Sequence, residues 1–275
     1  MRWIEELEVA KNAAVEAGKA IMEIYDSADI GVEYKEDQSP LTMADKAANE
    51  IIVEILKSRF PSYAVLSEEE KDDRSRLDNE YCFIVDPLDG TKEFIKRNGQ
   101  FTVNIALAYM RESVMGVIYV PVSGKLYYAA KGYGAFRESA EGEIQRLSVS
   151  DNTDIASLRV VMSSSHGCKE MDELIEKYRF TNLVKVGSSL KGCMIAEGNA
   201  DVYYRFNPTM EWDTAAMQCI VEEAGGLFRQ MDGEVMRYNR ENSVNEKGFF
   251  IINCVESGYH KIFVDKYRKT SSNMI

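Results

Sequence analysis

The chain has 275 residues, about two units at roughly 150 residues each, and roughly 70–75% of the unfolded surface can be buried at that size. Its 45 acidic against 33 basic residues give a formal charge of −12, which excludes a general binder of nucleic-acid polymers, because such proteins need a basic face to displace counterions. The 45% apolar content is ordinary for a globular protein, and the longest apolar run, Ile105 to Met110, is far short of a transmembrane segment.

A small phosphorylated substrate stays compatible with the charge, since metals can make a site locally positive. Glu5, Glu6 and Glu8 stand where a secretory leader would carry positive charge. A cytoplasmic location is expected, with peripheral membrane association left open. Only two histidines, His166 and His260, are present, so a multi-histidine zinc or iron site is unavailable. Five cysteines, at 82, 168, 193, 219 and 254, form no C-x-x-C and read as reduced thiols.

In chain order, Trp3, Leu7, Ala10, Ala14, Ala17, Ile21 and Ile24 recur at helical spacing and predict a helix over residues 3–25. A second helix follows Ser39-Pro40, with Thr42 and Asp45 at capping-box spacing. Strands are expected at Ala64–Leu66 and Tyr81–Val85, with a charged loop between. Phe101–Tyr109, Val114–Val120, Leu126–Ala130 and Ala135–Arg137, separated by turn sequences, predict an antiparallel meander. From about residue 150, strand and helix alternate: strands at Leu158–Met162, Leu183–Val186, Val202–Tyr204, Leu227–Arg229 and Phe249–Asn253, and helices at Glu170–Tyr178, Leu190–Glu197, Trp212–Ala224 and Ser257–Tyr267. That rhythm belongs to an α/β lobe. The fold class is therefore α/β, with an α+β lobe over 1–148 and an α/β lobe over 149–275, joined near residues 145–155.

The most informative segment is Asp86-Pro87-Leu88-Asp89-Gly90-Thr91. Pro87 cannot continue a strand ladder, Gly90 permits a tight turn, and a short helix can start near Thr91. Two carboxylates at a strand end, beside free amides that can receive a phosphate, suit Mg²⁺ shared between carboxylates and substrate oxygens. A turn capped by Asp89, with Asp86 bonded locally, is the competing reading. Glu68 in Ser67-Glu68-Glu69-Glu70 is a ligand or part of a solvated acidic run. Asp213 in Glu211-Trp212-Asp213 is a ligand or a helix N-cap, and Asp45 is a catalytic acid or only the capping-box acid.

Taken together and in order, DPLDGTKEF, the SEE run, Thr42-x-Ala44-Asp45 and WDTAA followed by EAGG resemble the inositol monophosphatase superfamily of metal-dependent, lithium-sensitive phosphatases. GTKEFIKRNG, FTVNIAL and GSSLK resemble one branch of it, the 3′(2′),5′-bisphosphate nucleotidases of the CysQ type. The resemblance spans nearly the whole chain. It implies a layered α/β/α/β/α sugar-phosphatase fold with the site between lobes, and two or three Mg²⁺ per site.

By the same resemblance, Glu68, Asp86, Asp89, Asp213 and the Leu88 carbonyl hold metal, and Asp45 and Thr91 orient the attacking water. The Gly90 and Thr91 amides hold the cleaved phosphate. Gly187, Ser188, Ser189 and Lys191 match a substrate loop, with Lys191 meeting a phosphate or merely solvated. His166 is a contact to base or ribose, or structural. Tyr203, Tyr204 and Arg205 offer stacking and charge, or are buried aromatics with a neighbouring cation. The implied substrate is small and phosphorylated, an adenosine bisphosphate: 3′-phosphoadenosine 5′-phosphate, released as AMP and phosphate. An inositol or sugar monophosphatase is the alternative. The branch often carries arginine where this chain has Ser164. A non-catalytic phosphate binder would show a lost metal carboxylate, and none is lost.

Overall fold

The computed structural model describes residues 2–27, 29–35, 40–164 and 167–253. His166, Cys254, His260 and the helix expected at Ser257–Tyr267 lie outside the described residues.

Helix α1 (Ile4–Tyr25) packs with α2 (Met43–Arg59), and the two-residue strands β1 (Glu33–Tyr34) and β2 (Pro40–Leu41) pair between them in the chain. Seven strands then form one sheet in sequence order: β3 (Ala64–Ser67), β4 (Tyr81–Asp89), β5 (Thr102–Tyr109), β6 (Glu112–Val120), β7 (Lys125–Ala130), β8 (Gly134–Glu138) and β9 (Ile144–Arg146). Only the β3–β4 pair is parallel; β5 to β8 form the expected antiparallel meander, which β4 extends on one side and β9, not expected from the sequence, on the other. The short helix α3 (Thr91–Ile95) follows β4.

A second, five-stranded sheet is built from β10 (Arg159–Ser163), β11 (Asn182–Val186), β12 (Val202–Arg205), β14 (Leu227–Gln230) and β16 (Phe249–Ile252), in the order β11-β10-β12-β16-β14. The pair β13 (Thr209–Met210) and β15 (Val244–Asn245) stands apart. Helices α4 (Lys169–Tyr178), α5 (Leu190–Ala196) and α6 (Ala215–Glu223) complete the described chain.

Side-chain alternation decides the layering. On β4 and β5, Phe83, Val85, Val103, Ile105 and Leu107 face α1 and α2, while Cys82, Ile84, Ala106 and Ala108 face a core shared with α5, α6 and the second sheet. Both faces are covered, so these strands read as unbroken apolar runs. On the second sheet Val161, Tyr203 and Ile251 join the shared core, whereas Val160, Val202, Tyr204, Phe250 and Ile252 face α4. Helices, sheet, helices, sheet, helix is the five-layer α/β/α/β/α order. The chain crosses between sheets through Leu147 and Val149, whose amides bond Ala135 and Ala224 carbonyls at 2.8 and 3.0 Å. Beside that crossing, fully buried Asp201 accepts from Ser150, Asn152 and Arg159.

One boundary needs correction. The strand predicted to end at Val85 continues to Asp89, with Asp86 opposite Asn104 and Asp89 opposite Thr102, and the register shifts between them. Pro87 does interrupt the ladder, but as a bulge rather than an end. The helix expected from Trp212 starts only at Ala215, after a turn.

Candidate active site

The parity that sends Cys82 and Ile84 into the shared core sends Asp86 to the same face, now 1% exposed. The bulge then presents Asp89 beside it. From beyond the crossing between the two sheets, the turn before α6 brings Asp213. Oxygens of Asp86, Asp89 and Asp213 lie within 4.8 Å of one another. They line a cavity of about 240 Å³ that also takes in Glu68, Leu88, Gly90, Thr91, Lys191 and Arg205.

Each carboxylate is oriented by the fold. Asp86 Oδ1 accepts the Leu88 amide at 3.1 Å across the bulge. Asp89 Oδ2 accepts Ser189 Oγ at 2.7 Å and Asn104 Nδ2 at 3.3 Å. Asp213 Oδ2 accepts the Met210 amide at 2.6 Å. Neither helix-cap reading holds: Gly90, at φ 97°, is the N-cap of α3, and Thr214 is that of α6. Glu68 follows β3 and is held by Lys35, whose Nζ donates to Glu68 Oε1 at 2.8 Å and to Glu69 Oε1 at 2.7 Å.

Burial and mutual repulsion set the protonation. Burial first, then the charge of Asp89, pushes the Asp213 carboxyl up to about 7. Burial and the neighbouring Glu68 and Asp89 charges hold Asp86 well above the usual carboxylate range. Carboxylates that resist ionising together are groups a cation would stabilise. Hard oxygen donors converging from β4 and from the turn before α6 on one cavity fit a hard divalent ion such as Mg²⁺.

Beside the triad sits a second unit. Asp45 Oδ2 accepts both the amide and Oγ1 of Thr42, at 2.7 and 2.6 Å, completing the capping box of α2. Its other oxygen accepts Thr91 Oγ1 at 3.1 Å. Burial raises the Asp45 carboxyl, making it the stronger base. The capping box uses one oxygen of Asp45 and leaves the other bonded to Thr91.

The GSSLK segment forms the opposite wall. The Gly187 amide donates to Gln100 Oε1 at 2.8 Å. Ser189 bonds Asp89, while Ser188, at φ 44°, keeps a buried Oγ with no partner within the protein. Lys191 is buried rather than solvated, its Nζ donating to the Ser188 carbonyl and lying 5.5 Å from the Tyr203 ring centroid. Arg205 Nε is likewise buried without a partner. Tyr203 lines the cavity, but Tyr204 turns toward α4. Ser164 is exposed at the end of β10.

Sequence reasoning gave no role to Lys35, Thr102, Asn104 or Glu211. Asn104 carried a signal, an amide in the otherwise apolar run Val103–Ala108. Lys35 carried none, because its partners lie 33 and 34 residues away.

Residues 3–263 match the inositol monophosphatase family. The chain is 43% identical over 246 residues to the 3′(2′),5′-bisphosphate nucleotidase CysQ of Salmonella typhimurium, covering 88% of this chain and 98% of that one. The crystal structure of CysQ from Bacteroides thetaiotaomicron, described as a bacterial member of the inositol monophosphatase family, superposes with a TM-score of 0.80 at 42% identity, covering 92% of this chain and 98% of that one. The Thermotoga maritima IMPase shares the fold, with a TM-score of 0.80 at 24% identity over 97% and 99% of the two chains.

Proposed function

The chain belongs to the inositol monophosphatase family, and from that premise we propose that it is a metal-dependent phosphatase hydrolysing 3′-phosphoadenosine 5′-phosphate to AMP and phosphate. The observation that carries this reading is the convergence of Asp86, Asp89 and Asp213 on one cavity with Thr91, whose hydroxyl is bonded to buried Asp45 behind it. Glu68, Asp86, Asp89, Asp213 and the Leu88 carbonyl would hold two or three Mg²⁺. When bound, those ions supply charge that offsets the phosphate dianion and lowers the pKa of water.

The chain's own residues do the rest. Thr91 Oγ1 accepts a hydrogen bond from the attacking water and takes its proton as its own proton moves to Asp45 Oδ1, so that the hydroxyl is restored and the carboxylate holds the proton. The Gly90 and Thr91 amides receive the phosphate to be cleaved. Lys191 and Arg205 receive the second phosphate, which lies further from the triad, a role supported by the unpartnered Ser188 Oγ and Arg205 Nε in the same wall. No phospho-enzyme is needed. Four described cysteines, all free, suit a cytoplasmic setting, and no described helix is long and apolar enough to cross a membrane.

A phosphate-release assay with Mg²⁺ tests the reading on the adenosine bisphosphate, inositol 1-phosphate and fructose 1,6-bisphosphate; the first is expected to be the preferred substrate. A preference for inositol 1-phosphate would move the chain to the inositol or sugar monophosphatases, with Ser164 as the first position to examine. A hydrogen bond to a charged group is worth roughly 1.5–3 kcal/mol, so Lys191→Ala should lower kcat/KM for the bisphosphate about 10–150-fold. Inositol 1-phosphate, with no second phosphate to lose, should be hydrolysed as before. Burial pulls Lys191 down to about 8. KM for the bisphosphate should therefore rise as pH passes that value, and KM for inositol 1-phosphate should not follow.

A further inference from the structure

Three carboxylates within 4.8 Å of one another repel, so the chain itself must hold Asp213 in place before any cation arrives. The turn carrying Asp213 is fastened from below. Glu211 is fully buried, and its carboxylate accepts the Asn239 amide at 2.6 Å, the Arg240 amide at 3.0 Å and Arg240 Nε at 3.1 Å. The Glu211 carbonyl accepts the Thr214 and Ala215 amides at 3.2 and 3.0 Å, closing the turn into α6. Met210, whose amide holds Asp213, has its carbonyl bound by Asn245 Nδ2 at 2.8 Å.

The bracket reaches the other lobe. Asn239, in the left-handed region at φ 53°, accepts Arg76 Nη1 at 2.8 Å and returns a bond to the Arg76 carbonyl at 2.9 Å. Arg76, 3% exposed, lies in the same β3–β4 connection as Glu68. The support beneath Asp213 and the segment carrying Glu68 are thus joined through buried hydrogen bonds.

We infer that Glu211 is a positioning residue for Asp213, fixing its carboxylate opposite Asp86 and Asp89 so that the cation site exists before the cation binds. The inference rests on the metal role proposed above for Asp213. Loss of a partner that orients a metal ligand typically weakens metal binding about 10–100-fold, and that is the loss expected for Glu211→Gln, which turns a donor toward the Asn239 or Arg240 amide.

The test uses the full chain stripped of metal, with Mg²⁺ binding followed by titration calorimetry and by the Mg²⁺-induced rise in Tm. Glu211→Gln should weaken Mg²⁺ binding in the wild-type background and change it no further in Asp213→Asn, as expected if Glu211 acts on the site only through the turn that carries Asp213. A variant whose metal-free Tm falls while Mg²⁺ affinity holds would show Glu211 to be structural only and overturn the inference. So would an equal loss in both backgrounds. Should Glu211→Gln not fold, Arg240→Met removes the side-chain bonds while keeping both backbone donors, and should shift Mg²⁺ affinity in the same direction by less; no shift there counts against the role. A wild type that binds no Mg²⁺ sinks the metal reading first, and the inference with it.

Discussion

At Asp45 one carboxylate bonds a helix cap through one oxygen and, through the other, the Thr91 hydroxyl proposed to orient the attacking water. Oδ2 closes the capping box with Thr42, and Oδ1 receives Thr91. Asp45→Asn should therefore lose on both counts: roughly 10²–10⁴ in kcat, the scale of general-base loss, and about 0.5–2 kcal/mol of stability, the scale of a lost cap. Thr91→Val separates them, because it leaves the capping box whole; kcat should drop while Tm stays near wild type. Kinetics and melting on the same samples decide the matter, and an Asp45→Asn protein with reduced Tm but full kcat rejects the catalytic role. Asp86 and Asp213 should behave in the opposite way. Each bears a charge that burial opposes, so Asp86→Asn or Asp213→Asn should abolish nearly all activity while leaving the metal-free Tm equal to or above wild type. Full activity of Asp86→Asn in the presence of a chelator would remove the metal mechanism altogether.

Among the elements, β4 and the turn into α6 bring the three carboxylates together, and their sequences were unequally informative. The strand at Tyr81–Val85 was legible as an apolar run, but which of its residues face α1 and α2 and which face the shared core was not, because both faces are apolar. The continuation through Pro87 was not legible either, because a bulge keeps Asp86 and Asp89 in register with Asn104 and Thr102, and that pairing is invisible without the partner strand. The motifs at Asp86–Thr91 and Trp212–Asp213 were legible for the same reason that they are short: their chemistry is local. Lys35 and Arg76 were not, since their partners lie 33 and 163 residues away. The packing of α6 on β6 was equally hidden. A Cβ added to Gly116 would stand 2.4 Å from the Ala216 carbonyl oxygen, one residue into α6. Backbone cannot yield there as a flexible side chain can. Gly116→Ala should cost about 1–3 kcal/mol, the usual range for overpacking, visible as a lower Tm in chelator. A melting curve superimposable on wild type would mean that α6 can move away freely, and that its contact with β6 does not fix Asp213.

Across the whole molecule, acidic residues outnumber basic ones, and the site concentrates that imbalance where the two sheets meet. This couples folding, protons and metal. Burial raises Asp86, Glu68 and Asp45, and lifts Asp213 from 3.8 to about 7. A carboxyl whose pKa is higher folded than unfolded binds more protons in the folded state, so its contribution to stability is present at low pH and lost as pH rises from the unfolded toward the folded value. For Asp213 that window runs from about 4 to about 7, and Asp86, raised well above its ordinary value, acts in the same direction. Asp201 and Asp72 are shifted the other way, Asp201 by its bonds to Arg159 and Ser150 and Asp72 by Arg76, against the pull of burial. Their stabilisation is lost only as pH falls below the ordinary carboxylate range, so they do not cancel the effect above it. In chelator, Tm should therefore be highest near pH 5 and fall toward pH 8. A divalent ion binds the ionised cluster and competes with its protons, so the rise in Tm on adding Mg²⁺ should be small at pH 5 and grow toward pH 8. Asp213→Asn should flatten the slope in chelator and shrink the Mg²⁺ effect together, because one group carries part of both. Melting curves at pH 5, 6.5 and 8, with chelator and with Mg²⁺, measure all three quantities. A metal-free Tm that climbs from pH 5 to pH 8, or a Mg²⁺ effect independent of pH, would show that the cluster is already neutralised by the fold, with the Lys35 ammonium at Glu68 and Glu69 as the first cation to suspect.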